Sequence, residues 1–411
     1  MLDTISVSII ALALVLLLIA FRQLGEFKLP IWQIMLSGAL LVLLSGEISP
    51  LDAAKAINPD VMIFLGGMFI VGEAMRESGY LFHLFNRIFC RARNLDQLLI
   101  LILFAMGFLS ALLMNDTLAI IGTPLMLYLA SSLRISPKLL LLTLAFAVTT
   151  GSAMSPIGNP QNLLIAINGS LANPFQVFLQ YLFLPTLANL VLAYLLLRIF
   201  YKSQFQHTAI TIPPEKISDP ALANISRISI ILLLILILAK VLAVLINSSQ
   251  QFPLTYIAIF SALPVILLSS RRWEIMKNID WCTLIFFAAM FVLMESVWRS
   301  GVFQSMMAES STGFGSIPAI LALSVFLSQI ISNVPFVALF QPLLHNPSAQ
   351  DLMALAAGST IAGNLFILGA ASNVIIIQNA EKSGETLTFL DFARVGVPLT
   401  ALNVLVYWIF L

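Results

Sequence analysis

A motif that occurs twice constrains this chain more than any other feature. Residues 115–124 read NDTLAIIGTP and residues 333–342 read NVPFVALFQP, so that in each an Asn is followed nine positions later by a Pro. One apolar segment beyond each motif lies a glycine-containing stretch that ends in Asn, GSAMSPIGNPQN at 151–162 and GNLFILGAASN at 363–373. Polar interruptions at corresponding positions in two apolar halves are typical of a transporter binding site.

The amino-acid composition requires a lipid environment. Of the 411 residues, 60% are hydrophobic and only 9% are charged, whereas a typical soluble domain has roughly 25% charged residues. The net charge of +1 gives no reason to expect nucleic acid as a partner. The cysteines and histidines (Cys90, Cys282, His83, His207 and His345) are too scattered for a redox or metal motif. We therefore expect a membrane protein with no cofactor and no metal site.

The apolar segments predict an all-α polytopic membrane protein of two inverted repeats, each with five transmembrane helices and a re-entrant hairpin. Segments 97–130 and 316–346 are too long for one span of about 20 residues, and their motifs make them too polar for two. Segments 138–170 and 350–380 each contain a glycine-containing break, so we expect broken helices, whose exposed backbone must be surrounded by protein or a water-filled cavity. Because five spans is an odd number, the two repeats must be inverted.

The predicted domain boundaries follow from these segments. Repeat 1 covers 1–200, with scaffold spans at 4–79, a hairpin at 97–130, a broken helix at 138–170 and a last span at 174–200. A proline-containing cytoplasmic linker covers 201–224. Repeat 2 covers 225–411, with scaffold spans at 225–299, a hairpin at 316–346, a broken helix at 350–380 and a last span at 391–410. The similarity of 59–79 to 279–301 pairs Asp60 with Asp280.

The distribution of basic residues orients this topology. Sixteen of the 20 lysines and arginines fall in segments that share one side: Arg22, Lys28, Arg87, Arg91, Arg93, Arg134, Lys138, Arg198, Lys202, Lys216, Arg227, Arg271, Arg272, Lys277, Lys382 and Arg394. The positive-inside rule makes this side cytoplasmic. We therefore expect a multi-pass protein of the inner or plasma membrane with both termini outside.

Asp116 is the residue with the sharpest functional signal. It is the only charged residue between Asp96 and Arg134, and an acidic side chain at a helix centre costs roughly 2.5–3.5 kcal/mol on insertion scales. A carboxyl can lower this cost by binding a proton, so we predict that Asp116 is a proton carrier. The structural alternative is that Asp116 caps the second hairpin helix.

The polar residues of the two tips and the two breaks predict one site near the membrane midplane. Asn115 and Asn333, with Ser332 before the latter, can donate and accept hydrogen bonds; alternatively they only satisfy freed backbone groups. A half-helix that begins after each break presents unpaired N–H groups, which favour an anion or a polarised oxygen. None of the four stretches contains Lys or Arg. This suits a neutral hydroxy acid, a weakly charged anion or a cation bound by carbonyls.

Four motifs, MNDT (114–117), IGNPQNLLI (157–165), SNVPF (332–336) and GAASNVIII (369–377), resemble those of the ion transporter superfamily. That group includes arsenite efflux permeases, silicic-acid effluxers, divalent anion–sodium symporters and some sodium–proton antiporters. The resemblance implies a scaffold domain, a transport domain that moves as an elevator, and a homodimer. It implies that these residues bind the substrate or ion: Asn115, Asp116, Thr117, Gly158, Asn159, Asn162, Ser332, Asn333, Gly369, Ser372 and Asn373.

The first tip, Asn115-Asp116-Thr117, differs from the Ser-Asn-Thr of the symporters and looks more like the arsenite and silicic-acid effluxers. We therefore predict proton-coupled efflux of an inorganic anion or a metalloid hydroxy acid, and no enzyme activity. The alternatives are a sodium-coupled dicarboxylate or sulfate symporter, with a sodium site near Asn115, Gly158, Asn333 and Gly369, and a sodium–proton antiporter. A membrane hydrolase and a passive channel are more distant alternatives.

Overall fold

The computed structural model describes residues 6–21, 30–169, 171, 173–205, 217–245, 253–302, 315–344 and 346–411. Within these ranges all regular structure is helical. The first half contains α1 (Val7–Phe21), α2 (Ile31–Leu44), α3 (Pro50–Ala56), α4 (Pro59–Glu77), α5 (Tyr80–Phe89), α6 (Leu95–Leu113), α7 (Asn115–Leu133), α8 (Pro137–Ser152), α9 (Pro160–Asn168) and α10 (Pro174–Phe200). The second half contains α11 (Pro220–Leu245), α12 (Leu254–Leu268), α13 (Arg272–Asn278), α14 (Trp281–Arg299), α15 (Ile317–Ile331), α16 (Asn333–Phe340), α17 (Ala349–Ile361), α18 (Ala371–Glu381) and α19 (Phe389–Phe410).

Polar side chains determine where many of these helices begin. The side chain of Asn159 accepts a hydrogen bond from the backbone N–H of Asn162 at the start of α9, and Asn94 does the same for Gln97 at the start of α6. Such caps satisfy N–H groups that have no partner within the helix. Prolines occupy the first turn of α4, α8, α9 and α10, where the missing N–H has no cost.

Two residues with positive φ turn the chain at the two tips. Met114 (φ 70°) separates α6 from α7, and Ser332 (φ 76°) separates α15 from α16. Positive φ is uncommon outside glycine, and here it recurs immediately before Asn115 and Asn333. The breaks follow the same order in both halves. Residues 153–159 separate α8 from α9, and 362–370, which include two short 3-10 turns, separate α17 from α18.

One predicted boundary is wrong. The linker was expected to extend to residue 224, whereas α11 begins at Pro220. Asp219 explains the earlier start, because its side chain accepts a hydrogen bond from the backbone N–H of Leu222 at 3.0 Å and thereby caps the helix. Residues 206–216 of the predicted linker lie outside the described residues.

The helix contacts of the first half correspond to those of the second. Helix α2 packs on α14, and α4 packs on α12; likewise α6 packs on α8, and α15 packs on α17. Helix α7 packs on α18, α9 packs on α16, and α10 and α19 pack on each other. Exchanging the two halves therefore converts each of these contacts into another one that is present, except that the contact of α10 with α19 is converted into itself.

Ion pairs connect residues at the same end of the helix bundle. Lys138 Nζ lies 2.7 Å from Asp391, and Arg198 Nε lies 2.8 Å from Asp96. The guanidinium of Arg394 lies 5.3 Å from the ring centre of Phe200. Asp96 lies in the first turn of α6, and Lys138 lies in the first turn of α8, which follows α7. Both ends of the α6–α7 pair therefore lie at this end of the molecule.

Six described helices are long and apolar enough to cross a membrane, or seven if the bent pair α3–α4 is one span. They are α6, α7, α10, α11, α14 and α19. Shorter apolar helices include α1, α2, α8, α12, α15 and the α16 segment. Helix α11 exposes Ile231, Leu234, Ile235, Leu238 and Leu242. An apolar stripe of this kind is stable against lipid.

Candidate functional site

A cavity of about 640 Å³ lies where the two tips and the two breaks meet the scaffold helices. Four of the predicted site residues line it: Asn115, Asp116, Ser332 and Asn333. The break residues around it are Pro160, Gln161, Ile367, Ala370 and Ala371. Residues of α2 and α14 form the opposite wall. A concave site of this size is typical of a small-molecule pocket.

Asp116 lies in the first turn of α7 and is 6% exposed. The capping alternative is not what the structure contains, because the residue before α7 is Met114 and no side-chain cap hydrogen bond forms there. Among the described residues none donates a hydrogen bond to the Asp116 carboxyl. The carboxyl thus lines the cavity without a hydrogen-bond partner in the described part of the chain, which marks an intramembrane acid as a functional candidate.

The two tip asparagines are each 5% exposed, and the Oδ1 atom of each has no hydrogen-bond partner within the described ranges. The backbone N–H of Asn115 donates to the carbonyl oxygen of Gly158 at 2.9 Å. Its Nδ2 lies 3.5 Å from Ser372 Oγ. Asn115 therefore connects the first tip to both breaks. A buried polar atom without a partner is costly, so a bound ligand that occupies these oxygens would remove the cost.

The first break is held by two buried asparagines that do not line the cavity. Asn159 Nδ2 donates to Ser152 Oγ and Thr360 Oγ1, both at 3.0 Å. Asn162 Nδ2 donates to the carbonyl oxygens of Ser152, Ala153 and Ser155 at 3.2, 3.3 and 3.0 Å. These carbonyls lose their helical partners where α8 ends. Both asparagines thus support the unwound backbone behind the site.

The second break has a similar support. Asn373 Nδ2 donates to the carbonyl oxygen of Gly363 at 2.6 Å, while its Oδ1 has no hydrogen-bond partner among the residues that the structure describes. Gln329 of α15 donates to the carbonyl oxygen of Ala362 at 2.8 Å and thereby connects the second tip to this break. Gly369 packs against that same carbonyl, which a Cβ would approach to 2.5 Å. Ser372 and Asn373 are buried behind the cavity wall.

Thr117 faces the scaffold instead of the cavity. A Cβ added to Gly72 of α4 would lie 2.7 Å from Thr117 Cγ2, so these two positions form a close contact between α4 and α7. The glycine allows this approach because it has no side chain.

The sequence did not identify three polar residues of the cavity as site residues. Asp280 precedes α14 and accepts hydrogen bonds from Thr283 N at 3.0 Å and Thr283 Oγ1 at 2.6 Å. Glu381 ends α18, and Gln161 lies in the first turn of α9. All three line the cavity. The sequence around Asp280 did contain one signal, because an Asp before an apolar run predicts a helix cap. That signal does not predict a binding site; Asp280 reaches the cavity only because α14 packs beside it.

The chemistry available to this cavity is acidic and amide-based. Its described lining residues include the carboxyls of Asp116, Asp280 and Glu381 but no Lys, Arg or His. Among the described residues no group of three or more His, Cys, Asp or Glu side chains could hold a metal ion. The site can therefore offer hydrogen bonds to a polar solute and a carboxyl that exchanges a proton.

Sequence relatives are transporters and membrane proteins. The chain is 29% identical over 378 residues to an uncharacterized transporter of Mycobacterium bovis, with 86% of each chain covered. It is 25% identical over 406 residues to a 46 kDa membrane protein of Mycobacterium leprae, with 92% of each covered. The P protein of Mus musculus is 24% identical over 456 residues, which cover 89% of this chain and 55% of that protein.

The fold is similar to that of a solved transporter. The crystal structure of the YdaH transporter of Alcanivorax borkumensis, described as having an unusual topology, superposes with a TM-score of 0.58 at 14% identity. The match covers 90% of this chain and 86% of that one. The model of a family described as citrate transporters matches residues 14–351. This chain is therefore a multi-pass membrane transporter that belongs to the citrate transporter family.

Proposed function

We propose that the protein is a secondary active transporter that exports a small weak acid of the metalloid hydroxy acid type, such as arsenite or silicic acid, in exchange for protons. The observation that supports this most is Asp116, a carboxyl that is 6% exposed, lines the cavity and has no hydrogen-bond donor among the described residues. An intramembrane carboxyl without a partner is suited to binding a proton on one side and releasing it on the other.

The packing supports two inverted repeats. Exchange of the halves converts the contact of α2 with α14 into that of α12 with α4, as expected for a pseudo-twofold relation. The α6–α7 pair begins and ends at the same end of the molecule, which supports a re-entrant hairpin with its tip at Met114. By this symmetry α15 and α16 form the second hairpin.

The contact between scaffold and site supports an elevator mechanism. The tips and breaks form one unit, connected by the Asn115–Gly158 and Gln329–Ala362 hydrogen bonds. This unit meets α4 at the close contact between Gly72 and Thr117. We infer that it moves as one body past the scaffold, that a homodimer interface fixes the scaffold, and that the protein resides in the cell membrane with its termini outside.

A second candidate is a sodium-coupled transporter of a carboxylate or sulfate. The family description favours a carboxylate substrate, and the unpartnered Oδ1 atoms of Asn115 and Asn333 favour a cation. Amide and backbone oxygens are suitable ligands for a hard cation. The acidic lining of the cavity opposes a free multivalent anion, which is why we rank this candidate second.

Proteoliposomes that contain a trapped pH dye distinguish these candidates. Arsenite, silicic acid, citrate, sulfate, a dicarboxylate and sodium are added in turn, with and without a sodium gradient. We expect proton movement on addition of a metalloid hydroxy acid. Proton movement on addition of sodium alone would identify a sodium–proton antiporter. Uptake of citrate, dicarboxylate or sulfate that requires sodium and moves no protons would replace the first candidate with the second.

A further inference from the structure

The cavity opens at the lysine- and arginine-rich end of the protein. Its outer lining residues are Trp32 at the start of α2, Asp280 and Cys282 at the start of α14, and Glu381 and Phe389 on either side of the loop after α18. These positions adjoin segments 22–29, 271–280 and 381–394, which the positive-inside rule places in the cytoplasm. Cys282, Glu381 and Phe389 are exposed. The opening of the cavity formed by these outer residues, which we call the mouth, therefore faces the cytoplasm.

The mouth is lined by negative charge only, among the residues that the structure describes. Asp280 stands on the scaffold wall, fixed by its two hydrogen bonds from Thr283. Asp280 lines the same cavity as Asp116. Glu381 adds a third carboxylate at the rim. A cleft lined by one sign of charge focuses the electric field and changes the local concentration of ions.

Independent features show that this acidic cavity is built to receive a ligand. Asp116 and Asn333 are 6% and 5% exposed and line it. Asn333 Oδ1 has no hydrogen-bond partner, and none of the described residues donates to the Asp116 carboxyl. Both side chains therefore present polar atoms without hydrogen-bond partners among the described residues to the cavity that Asp280 also lines.

We propose that Asp280 is a specificity-determining residue, a charge filter that attracts protons and cations to the site and repels the anionic form of the substrate. A weak acid that is neutral at cytoplasmic pH passes the filter, whereas an anion of the same size meets three carboxylates. The effect of the filter on transport rests on the proposed function. The negative charge at the mouth of the cavity is independent of the proposed function, and it can be measured without a transport assay.

The two native cysteines provide the measurement. Cys282 lies two residues from Asp280 and lines the cavity, while Cys90 is exposed outside it. In a Cys90→Ser background, Cys282 is modified by a positively charged and a negatively charged methanethiosulfonate of similar size, applied from the cytoplasmic side. The ratio of the two rates reports the local potential, because the thiolate fraction cancels. Removing the charge of a carboxylate several ångströms from the thiol, across water, changes the local potential and shifts the two reaction rates in opposite directions. The ratio of the rates should therefore change about fivefold.

We expect Asp280→Asn to lower the ratio of cationic to anionic reagent about fivefold. Asparagine is as good a helix cap as aspartate, so α14 is retained. Glu385→Gln is the matched control, because it removes an exposed carboxylate of the loop between α18 and α19 that does not line the cavity. A Cys282→Ser background, in which only Cys90 reacts, should show no effect of Asp280→Asn. If Asp280→Asn leaves the ratio of the two reaction rates at Cys282 unchanged, Asp280 is not a charge filter.

Transport then tests the consequence. We expect Asp280→Asn to raise the uptake of an anionic oxyacid severalfold relative to a neutral one of similar size. If the thiol ratio falls but this preference stays the same, Asp280 does not determine specificity. If the wild-type protein transports none of the solutes, the proposed function fails, while the thiol ratio still decides whether Asp280 sets the charge of the mouth.

Discussion

The backbone N–H of Asn115 donates a hydrogen bond of 2.9 Å to the carbonyl oxygen of Gly158, and this bond joins the tip between α6 and α7 to the break between α8 and α9. Two segments that are more than 40 residues apart thus form one unit at the base of the cavity. Gly158 permits the arrangement, because a Cβ there would lie 2.3 Å from the carbonyl oxygen of Ser152.

Gly158→Ala should therefore destabilise the site. The added methyl group must displace the backbone of Ser152, at a cost of about 1–3 kcal/mol. We expect a lower melting temperature in detergent and weaker substrate binding. Gly66→Ala is the control, since its Cβ would meet no atom within 4 Å and alanine favours a helix over glycine. Equal melting temperatures for the two variants would contradict the assigned contact.

The close approach of α4 and α7 predicts a rescue experiment. Gly72→Ala places a methyl group 2.7 Å from Thr117 Cγ2, so we expect transport to fall severalfold if the site moves past the scaffold there. Thr117→Ser removes the opposing methyl group and should restore transport in the double variant. The rates are measured by solute uptake into proteoliposomes. A double variant as slow as Gly72→Ala would show that the contact is not what limits movement.

Asn162 should contribute to stability more than its distance from the cavity suggests. Its Nδ2 serves three carbonyl oxygens of the first break, and Asn162→Asp replaces this donor with a carboxylate that repels them. We expect a loss of about 1–3 kcal/mol in stability, measured by thermal unfolding. Asn168→Asp, at the exposed end of α9, makes the same chemical change without these partners. The account requires that it cost much less.

Much of this arrangement was predictable because membrane burial makes polar residues informative. The repeated Asn motifs identified Asn115, Asp116, Ser332 and Asn333, and all four line the cavity. The position of each break followed from glycine and proline, which interrupt helices for local reasons. The bounds of the predicted segment 97–130 agree within a few residues with the start of α6 and the end of α7, which are joined at Met114.

Tertiary packing determined what the sequence could not provide. Asp280 stands in the sequence context of an ordinary helix cap, and it lines the cavity only because α14 lies beside the two tips. The sequence comparison paired it with Asp60, but this pairing is wrong by two positions. Helices α4 and α14 both contain 19 residues, so their ends match Asn58 with Asp280 as the capping residues. Asn159 and Asn162 hold the backbone of the first break and do not line the cavity, and a role of either in binding stays a prediction.

Proton coupling through Asp116 is tested by comparing two assays of Asp116→Asn in proteoliposomes. In the first, a pH gradient drives net movement of a metalloid hydroxy acid. In the second, labelled and unlabelled solute exchange across the membrane without a gradient. We expect Asp116→Asn to abolish gradient-driven movement and to retain exchange, since the amide cannot carry a proton but leaves the cavity intact. Gradient-driven transport at the wild-type rate in this variant would contradict proton coupling through Asp116.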